Sequence, residues 1–458
     1  MLTREQAQST IEKILSYSKF PECEVSVREP EEAYIRFANN SITTSGIALE
    51  RTITIRSTRD GKTGSANVTS VDDAELKATV ARSEEIAAIT PANPEHVAPL
   101  GPQEYPKLDK FDLDTASART ISMVPHVRAV IDTASGKKLV AAGLIRRVAN
   151  VSAIGNKKGL FGYHRGADAR MSATIRKPDG SSSGWDSQQS LHLAQINGAS
   201  LAERASGKCL AWQKPQRLEP GKYTVVLEGT ATGDLVRLLA FSFAARGADE
   251  GRTFLSKRGG GTRLGEKMFP EIITLRTDPF DARLPGTPWG GGFGGGGGGG
   301  GGFGGGGGGG VPARKMTWIE NGVVRNLFYD RYWAERSKKE PSPFPGDFVL
   351  EGGDSSLDDL IAPVDRGLLV TRFWYIRSLN PQTVQFTGLT RDGLFLIEKG
   401  KVTTAVVNFR FNESPVRLLQ NTTKLGRASR VQGGEGASMI APPLVAIDFN
   451  FASVSDAV

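Results

Sequence analysis

Histidine and cysteine are scarce in this 458-residue chain: His96, His126, His164 and His192 are its four imidazoles, Cys23 and Cys209 its two thiols. No two histidines stand four or five residues apart, so no helix can present the paired imidazoles of an H-E-x-x-H zinc site. The cysteines lie far apart and outside any C-x-x-C pair. They indicate neither a disulfide framework nor a thiolate metal site, and read as two ordinary thiols. Long apolar runs are missing too. Nowhere do about 18 apolar residues follow one another, and the opening MLTREQAQSTIEKILSYSKF is polar and amphipathic without an apolar core for export. The expectation is a soluble, cytoplasmic protein with no membrane contact.

Familiar catalytic signatures are equally sparse. The nearest approach to G-x-x-x-x-G-K-[ST] is SGKC at 206–209, which has Ala202 where the first glycine should stand. The SSSGW stretch at 181–185 reads as a turn rather than as a nucleophile. Asp249-Glu250 and Asp358-Asp359 are neighbours in sequence, so on a helix their side chains point about 100° apart and suggest no shared catalytic site.

The net charge of +8 is unevenly placed. Lys137, Lys138, Arg146, Arg147, Lys157, Lys158, Arg165, Arg170, Arg176 and Lys177 gather in one region, and Arg246, Arg252, Lys257, Arg258, Arg263 and Lys267 form a second group. The aromatic interleaving of a single-strand platform is absent, as are helix-turn-helix, zinc-finger and RNA-recognition signatures. The basic residues therefore read as a solvated or substrate-facing surface, attractive to acidic peptides or an acidic partner, rather than as a nucleic-acid site.

What the chain has in excess is glycine, 55 residues, many of them in PWGGGFGGGGGGGGGFGGGGGGGVPARKMTW at 288–318. Such a run satisfies G-x-G-x-x-G trivially, with no strand before it and no helix after it. Glycine loses the most backbone entropy on ordering and buries no side chain, so the run is expected to be a solvated coil broken only by Phe293 and Phe303.

The remaining pattern predicts two domains, since single cores stop growing at roughly 250 to 300 residues. An α/β N-terminal domain is placed at 1–214. It has a helix at about 3–18, strands at 23–29, 32–39 and 50–57, a turn at Asp60-Gly61, and a helix behind Ser70 in the S-x-x-D spacing of a capping box with Asp73. A Pro-rich connector fills 91–112, a helix occupies about 116–141, and antiparallel hairpins follow in LIRRVANVSAIGNKKGLFGYHRGADARMSATIRK. A mostly antiparallel β-rich C-terminal domain with a buried helix, α+β overall, is placed at 215–458. There YTVVLE (223–228) is a buried strand, and the residues between Leu235 and Ala245 are apolar almost all round, as in a core helix. Hairpin turns fall at Asn321-Gly322 and Lys399-Gly400, and Ser355 and Ser356 each have an acid three residues on.

LEPGKYTVVLEGTATGDLVRLLAF, TRLGEKMFPEIITLRTDP, VPARKMTWIENGVVRNLFYDRYWA and GLFLIEKGKVTTAVVNFRF, with DGKTGSANVTSVDDAEL nearer the start, resemble in order the motifs of the TldD/PmbA family, which includes the modulators of DNA gyrase. The resemblance implies a cytoplasmic peptidase system in which a metal-bearing subunit and a metal-free partner assemble and cut unfolded peptides. Metal-bearing members carry H-E-x-x-x-H on the helix after the strand similar to YTVVLE, and a cysteine ligand in the final segment. Here the corresponding positions hold Phe241, Ser242 and Arg246, and neither cysteine lies in the final segment. Phenylalanine cannot ligate zinc, serine cannot act as that base, and an arginine cation would repel the metal. By this resemblance the chain stands on the PmbA (TldE) side: no catalytic, cofactor or metal residue of its own, and zinc in a TldD-like partner. The other reading is a non-enzymatic homodimer that binds peptide or nucleic acid on the same fold. The family's loop before the segment similar to VPARK is short, so the polyglycine at 290–310 reads as a loop insertion between two strands with nearby ends, or as a flexible lid.

Overall fold

Thr3 starts the first helix: its hydroxyl accepts from Gln6 N while the Gln6 side chain accepts from Thr3 N, closing a capping box for α1 (Arg4–Tyr17). The computed structural model describes residues 1–290, 309–432 and 438–455. In it α1 turns Ala7, Ile11 and Ile14 inward, and seven strands make the sheet beneath: β1 (Glu22–Ala38), β2 (Ser41–Leu49), β3 (Thr52–Arg59), β4 (Lys62–Val68), β5 (Val140–Asn156), β6 (Phe161–Arg176) and β7 (Ser183–Ser190). The order across the antiparallel sheet is β4, β3, β1, β5, β6, β7, with β2 and β3 sharing one side of β1.

β1 is one strand where the sequence suggested two, 23–29 and 32–39. Pro30 does not break it because it stands where β1 changes partner. Arg28 faces Thr52 of β3, Glu31 faces Leu49 of β2, and the Pro30 carbonyl accepts from Glu50 N at 3.0 Å on that side. The missing proline N–H points into the same handover gap, where no ladder bond is lost.

Helices α2 (Asp73–Ile89), α3 (Leu113–Ser117), α4 (Thr120–Gly136) and α5 (Gly198–Ala211) complete this half. Asp72, not Ser70, caps α2. Its carboxylate accepts from Ala74 N and Glu75 N, while the Ser70 hydroxyl accepts from Asp72 N and sets up the cap. The helix expected at 116–141 is instead α3 and α4, parted at Ala118-Arg119; Lys138 turns left-handed (φ 57°) and the chain enters β5 at Val140. α1 and α2 cover one end of the sheet over Val25, Ile53 and Ile55, and α4 and α5 cover the other over Ile35, Ile145 and Met171. Gly198 lets the two latter helices meet: a Cβ there would fall 2.2 Å from His126 O.

The second half builds on β8 (Gly221–Leu227). β8, Leu444–Val454, Phe409–Glu413, Gln385–Glu398 and Arg366–Asn380 pair in turn, and the last returns to β8, closing a ring. The ladders are antiparallel except that of Arg366–Asn380 with β8. Phe373, Phe409, Phe411, Phe449 and Phe451 are buried together, with centroids from 4.7 Å for Phe373 and Phe411 to 5.9 Å for Phe411 and Phe449. Each such ring stabilises the fold by about 1.5–3 kcal/mol relative to its exposure. A neighbouring sheet joins Val323–Val324, Met316–Glu320, Leu275–Thr277, Phe348–Leu350, Met439–Ala441 and Ser429–Val431 in that order.

The glycine insertion lies almost entirely outside the described residues, but its stem does not. Met316 pairs with Thr277, then Trp289 with Pro312 and Gly290 with Val311, so the chain leaves and re-enters through a short ladder. Trp289 packs edge-on against Tyr105 of the connector at 5.1 Å, and the Tyr105 hydroxyl donates to Gly310 O at 2.8 Å. The stem is thereby seated on the N-terminal half, beside Ile154 and Leu160. No described helix is long and apolar enough to cross a membrane.

Candidate functional site

The segment after β8 is where the family's metal motif would fall. Glu228 precedes α6 (Gly229–Val236), and its carboxylate accepts from Lys208 Nζ at 2.7 Å and Thr371 Oγ1 at 3.2 Å. Within α6, Asp234 is buried and accepts from Phe373 N at 3.0 Å, and Gly233 admits the Val431 side chain against the helix. The helix does not continue to Ala245 as its apolar pattern suggests. It tightens to a 3-10 turn over Arg237–Phe243 and then stops at Ala244, which is extended (ψ 119°). The stop has a cause: Phe328 N donates to Phe243 O at 2.7 Å and Ala245 N donates to Phe328 O at 2.8 Å, a strand-like pairing that a helix could not make. The buried Phe243 ring anchors it between Trp318 and Phe348. A second short helix, α7 (Ala245–Asp249), follows.

Phe241, Ser242 and Arg246 are therefore divided between two segments. Phe241 is 64% exposed and its ring lies 5.4 Å from Phe344, which in turn meets Phe328 edge-on at 5.4 Å. Ser242 is buried. On α7, the Arg246 guanidinium grips both oxygens of Glu95 at 2.7 and 2.8 Å, donates through Nε to Glu250 at 3.0 Å, and lies over the Trp333 ring at 5.5 Å. These hydrogen bonds, to Glu95 above all, hold Arg246 in its charged form well above the usual range. Zinc does not fit here: a locked cation occupies the place of a ligand, and among the described residues no three His, Cys, Asp or Glu side chains converge. The two carboxylates that could attract a metal are neutralised by the arginine.

The histidines lie elsewhere, His96 beside Glu22 (2.8 Å), His192 beside Asp112 (3.4 Å), His126 on α4 and His164 on β6. The serines at 181–185 make hydrogen bonds within the fold, the Ser182 hydroxyl donating to the Cys209 carbonyl and the Ser183 hydroxyl to Asp392 at 2.7 Å, and from Ser183 on the stretch is the start of β7 rather than a turn. Several of the basic residues between 137 and 177 are spent internally, Lys137 on Glu203, Arg146 on Glu32, Arg147 on Glu31, and Lys157 on the carbonyls of Ser18 and Phe20.

A polar belt joins the two halves next to α6, and no sequence motif announces it. Strand Ser429–Val431 sends Val431 toward Gly233 and Arg430 toward Asp168 of β6, Nη2 to Oδ1 2.7 Å. Ser438 donates to Gln189 of β7, and Lys110 Nζ donates to Asp281 O at 2.6 Å. Burial pushes the Asp347 carboxyl up to about 6, and burial together with the Lys110 cation pushes His164 down to about 4. Asp392 is buried between Ser183 and Arg372, whose guanidinium stacks on Trp185 at 4.4 Å.

Sequence comparison matches residues 220–453 to the PmbA/TldA metallopeptidase C-terminal domain and residues 23–87 to PmbA/TldA metallopeptidase domain 1. The chain belongs to the TldD/PmbA family. Its fold is that of TldE from Thermococcus kodakarensis, with a TM-score of 0.82 at 22% identity over 97% of this chain and 99% of that one. A putative modulator of DNA gyrase from Thermotoga maritima MSB8 superposes with 0.81 at 17% identity, over 97% and 100% of the two chains. Another putative modulator of DNA gyrase, from Bacteroides thetaiotaomicron VPI-5482, gives 0.81 at 21% identity over 99% and 100%. No curated protein sequence matches the chain. Family membership and the α+β fold thus agree with the reading of the quoted motifs.

Proposed function

We propose that this TldD/PmbA-family chain is the metal-free subunit of a heteromeric metallopeptidase that acts on unfolded peptides, zinc residing in a TldD-like partner. The observation that carries the reading is Arg246, a cation held by Glu95 and Glu250 at a position where the metal-bearing subclass is expected to place a histidine. Phe241 offers an apolar ring and Ser242 a buried hydroxyl at the other two positions. Such a segment can line a peptide path but cannot activate water through a metal.

Co-expression with a family member bearing H-E-x-x-x-H tests it. The two chains should co-purify, zinc should track the partner alone, and only the pair should cleave an unfolded peptide. One tightly held zinc per chain in the isolated protein, or chelator-sensitive cleavage without a partner, overturns the assignment.

A further inference from the structure

Arg430 has donors to spare. Its side chain is 5% exposed, and Nη2 alone serves the fold, donating to Ser438 Oγ at 3.1 Å and standing 2.7 Å from Asp168 Oδ1. Nε and Nη1 are buried and have no partner among the described residues. A dry donor without an acceptor is costly, and folded proteins leave few of them. The surface that Arg430 faces is unsatisfied too. Ile145 and Met171 turn toward α4 and α5, so Arg146 and Asn150 of β5 share the sheet's other face with Asp168 and Arg170 of β6. Arg146 spends Nη1 on Glu32, but its Nε is buried and has no partner among the described residues. Asn150 donates to Ser152 Oγ, and its buried Oδ1 accepts from none of the described residues. Ser438 is itself bonded to Gln189, the cross-strand neighbour of Arg170, and Arg170 pairs with Arg146. Arg430 therefore lies toward the Arg146 end of this face. Asn150 stands four residues along β5 from Arg146, about 13 Å, the length of roughly four extended peptide residues.

We propose that Arg430 and Arg146 bind the C-terminal carboxylate of an extended peptide whose last residues run along β5 toward Asn150. The inference rests on the peptide-directed reading above and assigns the end of the peptide that this subunit takes. Unfolded peptides of differing sequence have only their main chain and their termini in common. The unused Nε and Nη1 of Arg430 and Nε of Arg146 suit the terminus, because charge-assisted bonds from arginine to carboxylate are the strong ones. The unused Asn150 Oδ1 suits a main-chain N–H farther back. Charge also selects a carboxylate over a phosphate. Asp168 and Asp347 already face Arg430, so a dianion would meet two like charges where a monoanion adds one. The face is not sealed: Asp168 is 28% and Arg146 26% exposed, which leaves an approach along the sheet.

Fluorescence anisotropy decides it, with the full chain and a short, unstructured Ser/Gln peptide labelled at its N-terminus and ending in either a free carboxylate or an amide. The acid should bind about tenfold or more tighter than the amide, since charge-assisted bonds are at stake. Arg430→Lys keeps a cation opposite Asp168 and removes both unused donors; it should fold as the parent does and bind the two peptides alike. Arg146→Gln gives up a partly exposed bridge to Glu32, so it should fold whatever Arg430→Lys does, and it should narrow the preference several-fold. Millimolar acetate should leave the peptide in place, because it lacks the chain along β5. Equal binding of acid and amide, a preference unmoved by Arg146→Gln or by a folded Arg430→Lys, or displacement by acetate would each overturn the proposal. An acid preference in a chain whose complex with a metal-bearing relative cleaves nothing would leave it standing and sink the heteromeric reading instead.

Discussion

Arg430 and Asp168 form a buried bridge between the halves of the chain: Nη2 stands 2.7 Å from Oδ1, with the arginine side chain 5% and the aspartate 28% exposed. Arg430 comes from the strand that also packs Val431 on α6, so the contact fixes the N-terminal sheet against the segment holding Phe241 and Arg246. Removing one partner of a buried pair leaves the other charge uncompensated, a loss of 3–5 kcal/mol when both are fully dry. Because Asp168 reaches some solvent, Arg430→Ala should lower the unfolding free energy by about 2 kcal/mol, read from the urea midpoint. A change under about 0.5 kcal/mol would mean that the pair contributes no more than a surface bridge.

His164 and Asp347 should oppose one another in their pH dependence. Both adjoin Gly286, with Lys110 common to them and Arg430 and Asp168 facing Asp347. A carboxyl raised to about 6 binds protons more tightly folded than unfolded, so its contribution is present at low pH and is lost as pH rises from about 4 through 6. A histidine lowered to about 4 does the reverse: its contribution is present above about 6.5 and is lost as pH falls toward 4. Relative to wild type, Asp347→Asn should gain stability as pH rises across this window, and His164→Gln should gain it as pH falls. Denaturant titrations at three pH values check the signs; two difference curves sloping the same way would refute the assignment.

The sequence showed the strands and most hairpins because their physics is local. Asp60-Gly61, Asn321-Gly322 and Lys399-Gly400 all carry positive φ at both positions, which the second glycine makes legible. Asn39-Asn40 takes the same conformation without a glycine and gave no such signal. In the β5–β6 hairpin, Asn156 is the last residue of β5, not part of the turn; its Oδ1 accepts from Lys158 N and Leu160 N and shapes the loop after it. The 3-10 turn and the stop at Ala244 were illegible because the competing partner, Phe328, lies far along the chain. The Arg430–Asp168 and Arg372–Asp392 pairs were hidden for the same reason, since each partner lies on another strand and only the tertiary fold brings them together.

Arg246 should act as a clamp on the connector rather than as a stabiliser of the core. It is about one-third exposed, so its bonds to Glu95 and Glu250 are screened, and Arg246→Ala should cost about 1 kcal/mol or less in global stability. The local effect should be larger. Glu95 lies in the connector between α2 and α3, and releasing it should speed limited proteolysis within residues 91–112 while the melting temperature moves little. An unchanged cleavage rate there would show that the connector's other contacts, among them Trp289 on Tyr105, His96 on Glu22 and Asn156 on Leu100 O, hold it without the arginine.

The glycine insertion should be dispensable for folding. Gly290 pairs with Val311 and Trp289 with Pro312, so the two ends already stand in adjacent strands, as a hairpin turn requires. Replacing residues 291–310 with Asn-Gly closes that ladder with the turn its twist favours. It also shortens the loop about tenfold, which at about 0.6 kcal/mol per doubling removes on the order of 2 kcal/mol of closure entropy. Against this stands one lost bond, from the Tyr105 hydroxyl to Gly310 O, typically about 1 kcal/mol. The melting temperature should therefore stay level or rise by a few degrees. Phe293→Ala with Phe303→Ala, which leaves the stem and its length intact, should also melt like the parent. A shortened chain that melts well below the parent, or fails to fold, would show that the inserted residues contribute packing that their glycine content gives no reason to expect.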